Sequence, residues 1–260
     1  MTSDNCDNIT GDWLNRGMVT YDPVTFTLTL DDAEIALNKT SGSPDAIVEI
    51  NAGGTCNIIL KGSSKIMTDS LTCIKSIGNV TLAGDGDIIM TAPQGIAVSC
   101  DMQFTVYGCH FGIAQSKVGF LGMKESGVDG LNTYSSVVRA YRSTMIMFCD
   151  SLVTQEMGGF SLVNEEYLYP EGKITFSPSL HSLVLNGRAL SGALMLGPLD
   201  LQGDLNADDV MNVTDVTLLI NLILNGGNED YITAHIADLN GDSNVNVTDV
   251  TVLINEILGL

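Results

Sequence analysis

Asn57-Ile-Ile-Leu-Lys-Gly-Ser-Ser-Lys-Ile66 returns, altered in detail but not in pattern, as Asn79-Val-Thr-Leu-Ala-Gly-Asp-Gly-Asp-Ile88. Gln103-Phe-Thr-Val-Tyr-Gly-Cys-His-Phe111 continues the series, and Gly62, Gly84 and Gly108 punctuate it at nearly equal intervals. Apolar and polar side chains alternate before each glycine, which is the period of a strand with one buried face. A short strand that recurs at near-constant spacing implies a coil stacked on the coil before it. Strands in such a stack pair in parallel, and their inward side chains form ladders. The predicted fold is therefore mostly β, a right-handed parallel β-helix (solenoid) over about residues 1–190. Residues 25–30 open it, and 137–148 and 173–185 supply later strands. A β-sandwich also has short strands and turns, but its strands need not repeat in sequence.

The composition agrees with a turn-rich β body. Of 260 residues, 45% are apolar, 16% are charged and 27 are glycine, which argues against disorder. The net charge of −20 is placed unevenly: no Lys or Arg follows Arg188, yet eleven Asp and Glu do. Such a surface repels nucleic-acid phosphates and anionic membranes. No stretch is long and apolar enough to span a bilayer, and the start carries neither a basic region nor an apolar one, so no signal peptide is read. The six cysteines form no C-x-x-C pair and sit mostly in apolar runs, which makes them buried small side chains.

A second, stricter repeat lies at the end. Asp204-Leu-Asn-Ala-Asp-Asp-Val-Met-Asn-Val-Thr-Asp215 recurs as Asp238-Leu-Asn-Gly-Asp-Ser-Asn-Val-Asn-Val-Thr-Asp249. Each copy runs into a helical stretch, 216–224 and 250–258. Val216, Leu219, Ile220 and Ile223 share one helical face, as do Val250, Leu253, Ile254 and Ile257. Hard cations take six to eight oxygen ligands from alternate positions of a tight loop. Positions 1, 3, 5 and 12 offer Asp204, Asn206, Asp208 and Asp215, then Asp238, Asn240, Asp242 and Asp249. Position 7, Val210 or Asn244, offers a backbone carbonyl, and position 9, Asn212 or Asn246, offers a ligand that acts directly or through water. Two copies in register predict two Ca²⁺ ions. Residues 191–202, with Gly192, Gly197 and Pro198, read as a linker to this module at 203–260.

These loops, each followed by V-T-D-V-T-x-L-I-N-x-I-L, resemble a type I dockerin over 203–260. The resemblance implies a paired EF-hand-type fold stabilised by calcium and captured by a cohesin-type protein. Val213, Thr214, Val247 and Thr248 match the family's partner-contact positions. Position 6 departs from the usual glycine, with Asp209 and Ser243. Ile220-Asn221 and Ile254-Asn255 replace the basic residues common on the helices. The donor set is unaffected by either departure.

The opening Val19-Thr-Tyr-Asp-Pro-Val-Thr-Phe-Thr-Leu-Thr-Leu30 is similar to that of secreted Bacteroidetes β-solenoid proteins, some carbohydrate-binding, and implies export to the exterior or cell surface. Catalysis has less support. Gly84-Asp-Gly-Asp87 reads as a turn, and nothing in the sequence brings Arg139 or Arg142 beside it. His110, His181 and His235 form no metal-ligand pattern. Trp13, Tyr134, Tyr141, Tyr167 and Tyr169 are candidate stacking platforms for sugar rings, and Val163-Asn-Glu-Glu-Tyr-Leu-Tyr-Pro170 is the most polar-aromatic stretch. The reading is a non-catalytic, secreted or cell-surface solenoid that binds glycan or protein and docks through its tail. Its alternatives are a polysaccharide-degrading β-helix enzyme and a structural surface protein with a calcium-stabilised end.

Overall fold

Asp22 ends the first strand, β1 (Leu14–Asp22), by folding its carboxylate over the turn that follows. Its Oδ2 accepts from the Thr25 hydroxyl at 2.8 Å and its Oδ1 from the Val24 amide at 2.8 Å. These two bonds hold its pKa below the ordinary carboxylate value. Phe26, at φ 52°, completes the reversal, and β2 (Thr27–Ala36) runs back antiparallel with Val19 opposite Leu30. The segment from Val19 to Leu30, expected as one opening strand, is therefore a hairpin. An Asx turn followed by Pro interrupts the extended run.

The computed structural model describes residues 9–38, 40, 44–51, 54–126, 132–141, 143–163, 165–198, 202–206, 210–225, 236–242 and 244–260. The chain divides into two compact units, Met1–Pro198 and Leu199–Leu260. After β2 the first unit continues with β3 (Ala46–Ile50), β4 (Thr55–Lys61), β5 (Ser63–Met67), β6 (Thr72–Ser76) and β7 (Asn79–Gly84). Next come β8 (Asp87–Cys100), β9 (Gln103–Tyr107), β10 (His110–Gly122), β11 (Lys124–Ser126) and β12 (Asn132–Tyr134). They are followed by β13 (Val137–Tyr141), β14 (Thr144–Gln155), β15 (Gly159–Val163) and β16 (Glu165–Tyr169).

Parallel pairing organises these strands into three ladders. One joins β2, β4, β7, β9, β13 and β15. A second joins β2, β5, β8, β10 and β14, and a third joins β3 and β6 to the far half of β8. The inward rows are apolar and buried: Leu28, Ile58, Leu82, Val106 and Ala140 in the first, and Ile66, Met90, Ile113 and Met147 in the second. Phe104, Phe111 and Phe120 meet between the ladders with ring centroids 5.7–6.1 Å apart. Each such side chain contributes about 1.5–3 kcal/mol by leaving water.

The register differs from the one the repeated glycines imply. Asn57 pairs with Thr81, not Asn79, and Thr81 pairs with Thr105. The pairing therefore advances by the same interval both times, slightly more than the spacing from Gly62 to Gly84. Gly84 lies opposite Leu60, and Gly86 lies against Gly62, whose carbonyl oxygen would be 2.4 Å from any Cβ there.

The parallel pattern ends early. Residues 173–185, expected as a later strand of the stack, form instead an antiparallel set, β17 (Ile174–Ser177), β18 (Ser182–Leu185) and β19 (Arg188–Ala189). Asn186 and Gly187, at φ 53° and 76°, make the tight hairpin turn that two residues of positive φ allow. β20 (Gly192–Pro198) occupies the stretch read as a linker and pairs antiparallel with β14 and β16, covering an edge that would otherwise be open. Cys56, Cys73, Cys100, Cys109 and Cys149 are free and buried, and burial pushes the Cys73, Cys100 and Cys109 thiols up to about 12. Cys6 lies outside the described residues.

The second unit holds two helices, α1 (Val213–Leu224) and α2 (Val247–Leu258). Leu219, Val250 and Leu253 form its small core with Ala237, supported by Leu205, Met211, Leu239 and Val245 from the loops. Ile220, Ile254 and Ile257, expected on the buried face, are instead exposed, because the loops supply apolar residues at their second and eighth positions. No helix among the described residues is long and apolar enough to cross a membrane.

Candidate functional site

The two loops of the second unit are built alike. Asp215 is fully buried at the start of α1; its Oδ1 accepts from the Asn206 amide at 3.2 Å and its Oδ2 from the Asn212 amide at 2.9 Å. Asp249 is equally buried at the start of α2 and accepts from Asn240 at 3.2 Å and Asn246 at 2.8 Å. Each twelfth-position carboxylate thus ties the loop's third and ninth residues to its helix. In the second loop Asp238 Oδ1 and Asn240 Oδ1 both accept from the Asp242 amide, at 3.1 and 2.8 Å, which turns both side chains inward. Asn240 Nδ2 also donates to Asp242 Oδ2 at 3.1 Å. In the first loop Asp204 is buried; Asp208 and Asp209 lie outside the described residues, as does Ser243 in the second.

Asn212 and Asn246 have a role the sequence reading did not assign. Each is a helix N-cap: its Oδ1 accepts from the Thr214 or Thr248 amide at 2.8 or 2.9 Å. With Asp215 or Asp249 it forms a reciprocal capping box, legible in hindsight from the spacing N-x-x-D. Each Nδ2 donates at 2.9 Å to the seventh-position carbonyl, Val210 or Asn244. The ninth residue therefore holds the seventh-position carbonyl in place.

The donor set fits a hard divalent cation. Asp204, Asp215 and Asp249 are at most 5% exposed. A buried carboxylate requires compensating positive charge as well as amide donors. No lysine or arginine exists in the sequence beyond Arg188 to supply it. The available donors are carboxylate, amide and carbonyl oxygens, the ligands that Ca²⁺ prefers. Among the described residues no group of three or more His, Cys, Asp or Glu is gathered. Val213 and Val247, at the first turn of each helix, are 73% and 72% exposed, with Thr214 and Thr248 exposed beside them.

The remaining candidates are scattered. Asp87 accepts from the Ser63 hydroxyl at 2.7 Å where β8 begins, whereas Arg139 points outward from the first ladder, on the row of Thr105. Arg142 and His235 lie outside the described residues. His110 is exposed on β10, and His181 stacks on Tyr134 with centroids 3.4 Å apart. Trp13 and Tyr167 pack against the core, and Tyr169 is exposed. Tyr141 stacks face to face on Tyr107, a residue the sequence reading passed over.

Paired acidic loops, each capping its own helix through its ninth and twelfth residues, define a duplicated EF-hand-like module. Residues 202–258 match the family model of the dockerin type I domain, so the C-terminal unit carries a dockerin module and calcium is its expected ion. The match stops short of the β-rich unit. No curated protein and no solved structure matches the chain, so the likeness of its opening to secreted Bacteroidetes proteins gains no support.

Proposed function

We propose that the chain is an exported, non-catalytic β-solenoid module that binds a glycan or a protein and is docked through its C-terminal unit to a cohesin-type partner. The even advance from Asn57 to Thr81 to Thr105 supports a wound β-helix, and connections between parallel strands of one sheet are almost always right-handed. The domains are then a solenoid closed by β20 at Pro198, a short connecting stretch and the dockerin module at 203–260. Two Ca²⁺ ions are held, one per loop. Asp204, Asn206, Asp208, the Val210 carbonyl and Asp215 hold the first, with Asn212 fixing the carbonyl. Asp238, Asn240, Asp242, the Asn244 carbonyl and Asp249 hold the second, with Asn246 in the same role. When bound, the ions neutralise the buried carboxylates and make both loops rigid. Val213, Thr214, Val247 and Thr248 then face the partner.

The observation that carries this reading is the pair of buried carboxylates, Asp215 and Asp249, in a segment without a single lysine or arginine. The separation of Asp87 from Arg139 on different ladders supports a non-catalytic body. Two measurements test the proposal. Calorimetric titration of the chelator-stripped chain with Ca²⁺ should give two ions per chain, and cohesin domains on a solid support should retain the chain in calcium and release it in chelator. A chain that takes up no calcium overturns the metal assignment, and calcium-loaded chain that no cohesin retains overturns the docking.

A further inference from the structure

The outward face of the first ladder carries a feature that the C-terminal unit does not explain. Its residues fall in three rows along the strand direction. The central row is polar, running from Asn57 through Thr81 and Thr105 to Arg139. On one side the row runs Ile59, Ala83, Tyr107, Tyr141. The two tyrosine rings stack with centroids 4.9 Å apart and planes 2° from parallel, and Tyr107 is 50% exposed. Stacking covers one face of the Tyr107 ring. The opposite face lies on the side of Ala83, whose side chain is a single methyl group. The next larger side chain is Ile59, two strands and therefore about 9.6 Å from Tyr107. The result is a slot with an aromatic wall and a small floor, bordered by hydroxyls.

On the other side of the central row, Asn79, Gln103 and Val137 lead into a groove of about 560 Å³ that also takes in Met102, Asp101 and Ser135. Gln103 turns its amide onto the Thr105 hydroxyl at 2.8 Å, so groove and central row are linked by side chains. From Gln103 to Tyr107 is about 13 Å along β9, the length of roughly two to three pyranose units.

We propose that this face of β4, β7, β9 and β13 binds a neutral pyranose chain, with one ring seated on Ala83 against Tyr107 and the next units crossing the Thr81–Thr105 hydroxyls towards Gln103. The proposal rests on the glycan-binding reading above and names its site and ligand class. Sugar C–H groups pack on an uncovered aromatic face while threonine and amide groups meet the hydroxyls. Charge selects the class. Arg139 is the only cation of the central row, and residues 1–188, with 20 Asp and Glu against 11 Lys and Arg, oppose a polyanion. A peptide added as a strand would need an open edge for its amides, and this face presents the flat of a paired sheet.

The test is calorimetry on the full chain with cellohexaose, xylohexaose, mannohexaose and hexagalacturonate. At least one neutral hexaose should bind. Tyr107→Ala, which removes the wall, and Ala83→Leu, which fills the slot, should each weaken that binding by about tenfold or more. Tyr169→Ala, on β16, should leave it unchanged. Neutral-hexaose binding that survives both Tyr107→Ala and Ala83→Leu overturns the site while the glycan reading stands. Preference for hexagalacturonate overturns the neutral class. If no hexaose binds, the site and the glycan-binding reading fall together, and the protein-binding alternative takes their place.

Discussion

Asn206 donates its backbone amide to Asp215 at 3.2 Å, across the length of the first loop, and Asn240 donates to Asp249 at the same distance in the second. Each bond closes its loop onto the helix behind it. Two loops closed alike, each around a buried carboxylate and without a cation among their own side chains, are poised to be completed from outside.

Replacement of Asp215 or Asp249 by Ala should therefore remove one calcium ion per chain and leave the other. The change deletes the proposed ligand, both loop-to-helix bonds and half of the capping box, so each variant should also lose amide protection in its own helix. Hydrogen exchange in calcium should show faster exchange confined to α1 for Asp215→Ala and to α2 for Asp249→Ala. Exchange in the β-rich unit should not change. Two ions retained by either variant would remove that residue from the ligand set.

Glu165 should make the β-rich unit sensitive to pH. It is 4% exposed; Oε1 accepts from the Ser143 amide at 2.7 Å, and Oε2 finds no hydrogen-bond partner among the described residues. Burial raises its pKa from 4.5 to about 7, against the pull of the Ser143 bonds. The nearby Cys109 thiol and Tyr167 hydroxyl are also pushed up, in part by its charge. A folded pKa above the unfolded one means that the folded state holds the proton. The stabilisation is complete below pH about 4.5 and is lost as pH rises through about 7. Thermal melts in saturating calcium should show Tm falling between pH 5 and 8, and Glu165→Gln should flatten that slope. At pH 8 the variant should melt about 5 °C higher, a gain on the order of 2 kcal/mol. Parallel pH profiles for the two proteins would mean that Glu165 titrates normally.

The parallel stack was legible because the inward rows keep their apolar character whatever residue fills them. Its register was not, because Gly62 and Gly84 look equivalent in sequence but serve different backbone positions. Gly62 is a turn residue under Gly86, whereas Gly84 sits opposite Leu60. The ends of the stack were hidden for another reason. Hairpins such as β1–β2 and β18–β19 use the same alternating pattern as parallel strands, and only their turn residues, Asp22-Pro23 and Asn186-Gly187, tell them apart. The Tyr107–Tyr141 stack was invisible for want of a constant interval. The step from Tyr107 to Tyr141 is longer than the step from Ala83 to Tyr107, because the β11–β12 hairpin is inserted between β9 and β13. The capping role of Asn212 and Asn246 was not legible, since one asparagine pattern serves equally as an oxygen donor and as a helix cap.

Gly84 should be among the least replaceable residues of the β-rich unit. It adopts φ 123°, and a Cβ there would stand 2.2 Å from the Leu60 carbonyl oxygen. Gly84→Ala meets both backbone strain and a backbone clash that no side-chain rotation relieves. It should cost about 2–4 kcal/mol and lower Tm by more than about 4 °C. Gly54, with nothing within 4 Å of its Cβ position, provides the control, and Gly54→Ala should melt with the parent. Equal Tm values for the two variants would mean that the close approach of β7 to β4 does not hold in solution.

Asn212 separates capping from ligation. If its amide acts as a cap, Asn212→Asp keeps the acceptor for the Thr214 amide and places a second carboxylate near the start of the α1 dipole. It gives up the Nδ2 donor that holds the Val210 carbonyl. Asn212→Ala loses both bonds. Without calcium, α1 should then be destabilised by about 1 kcal/mol in Asn212→Ala and not in Asn212→Asp, read as helical ellipticity at 222 nm. With calcium, both variants should bind more weakly than the parent if the Nδ2 bond to Val210 matters, because a loosened carbonyl is a poorer ligand. Asn246→Ala and Asn246→Asp should repeat the pattern in α2 through the Asn244 carbonyl. An Ala variant with unchanged apo helicity and sharply reduced calcium affinity would instead make the asparagine a direct ligand.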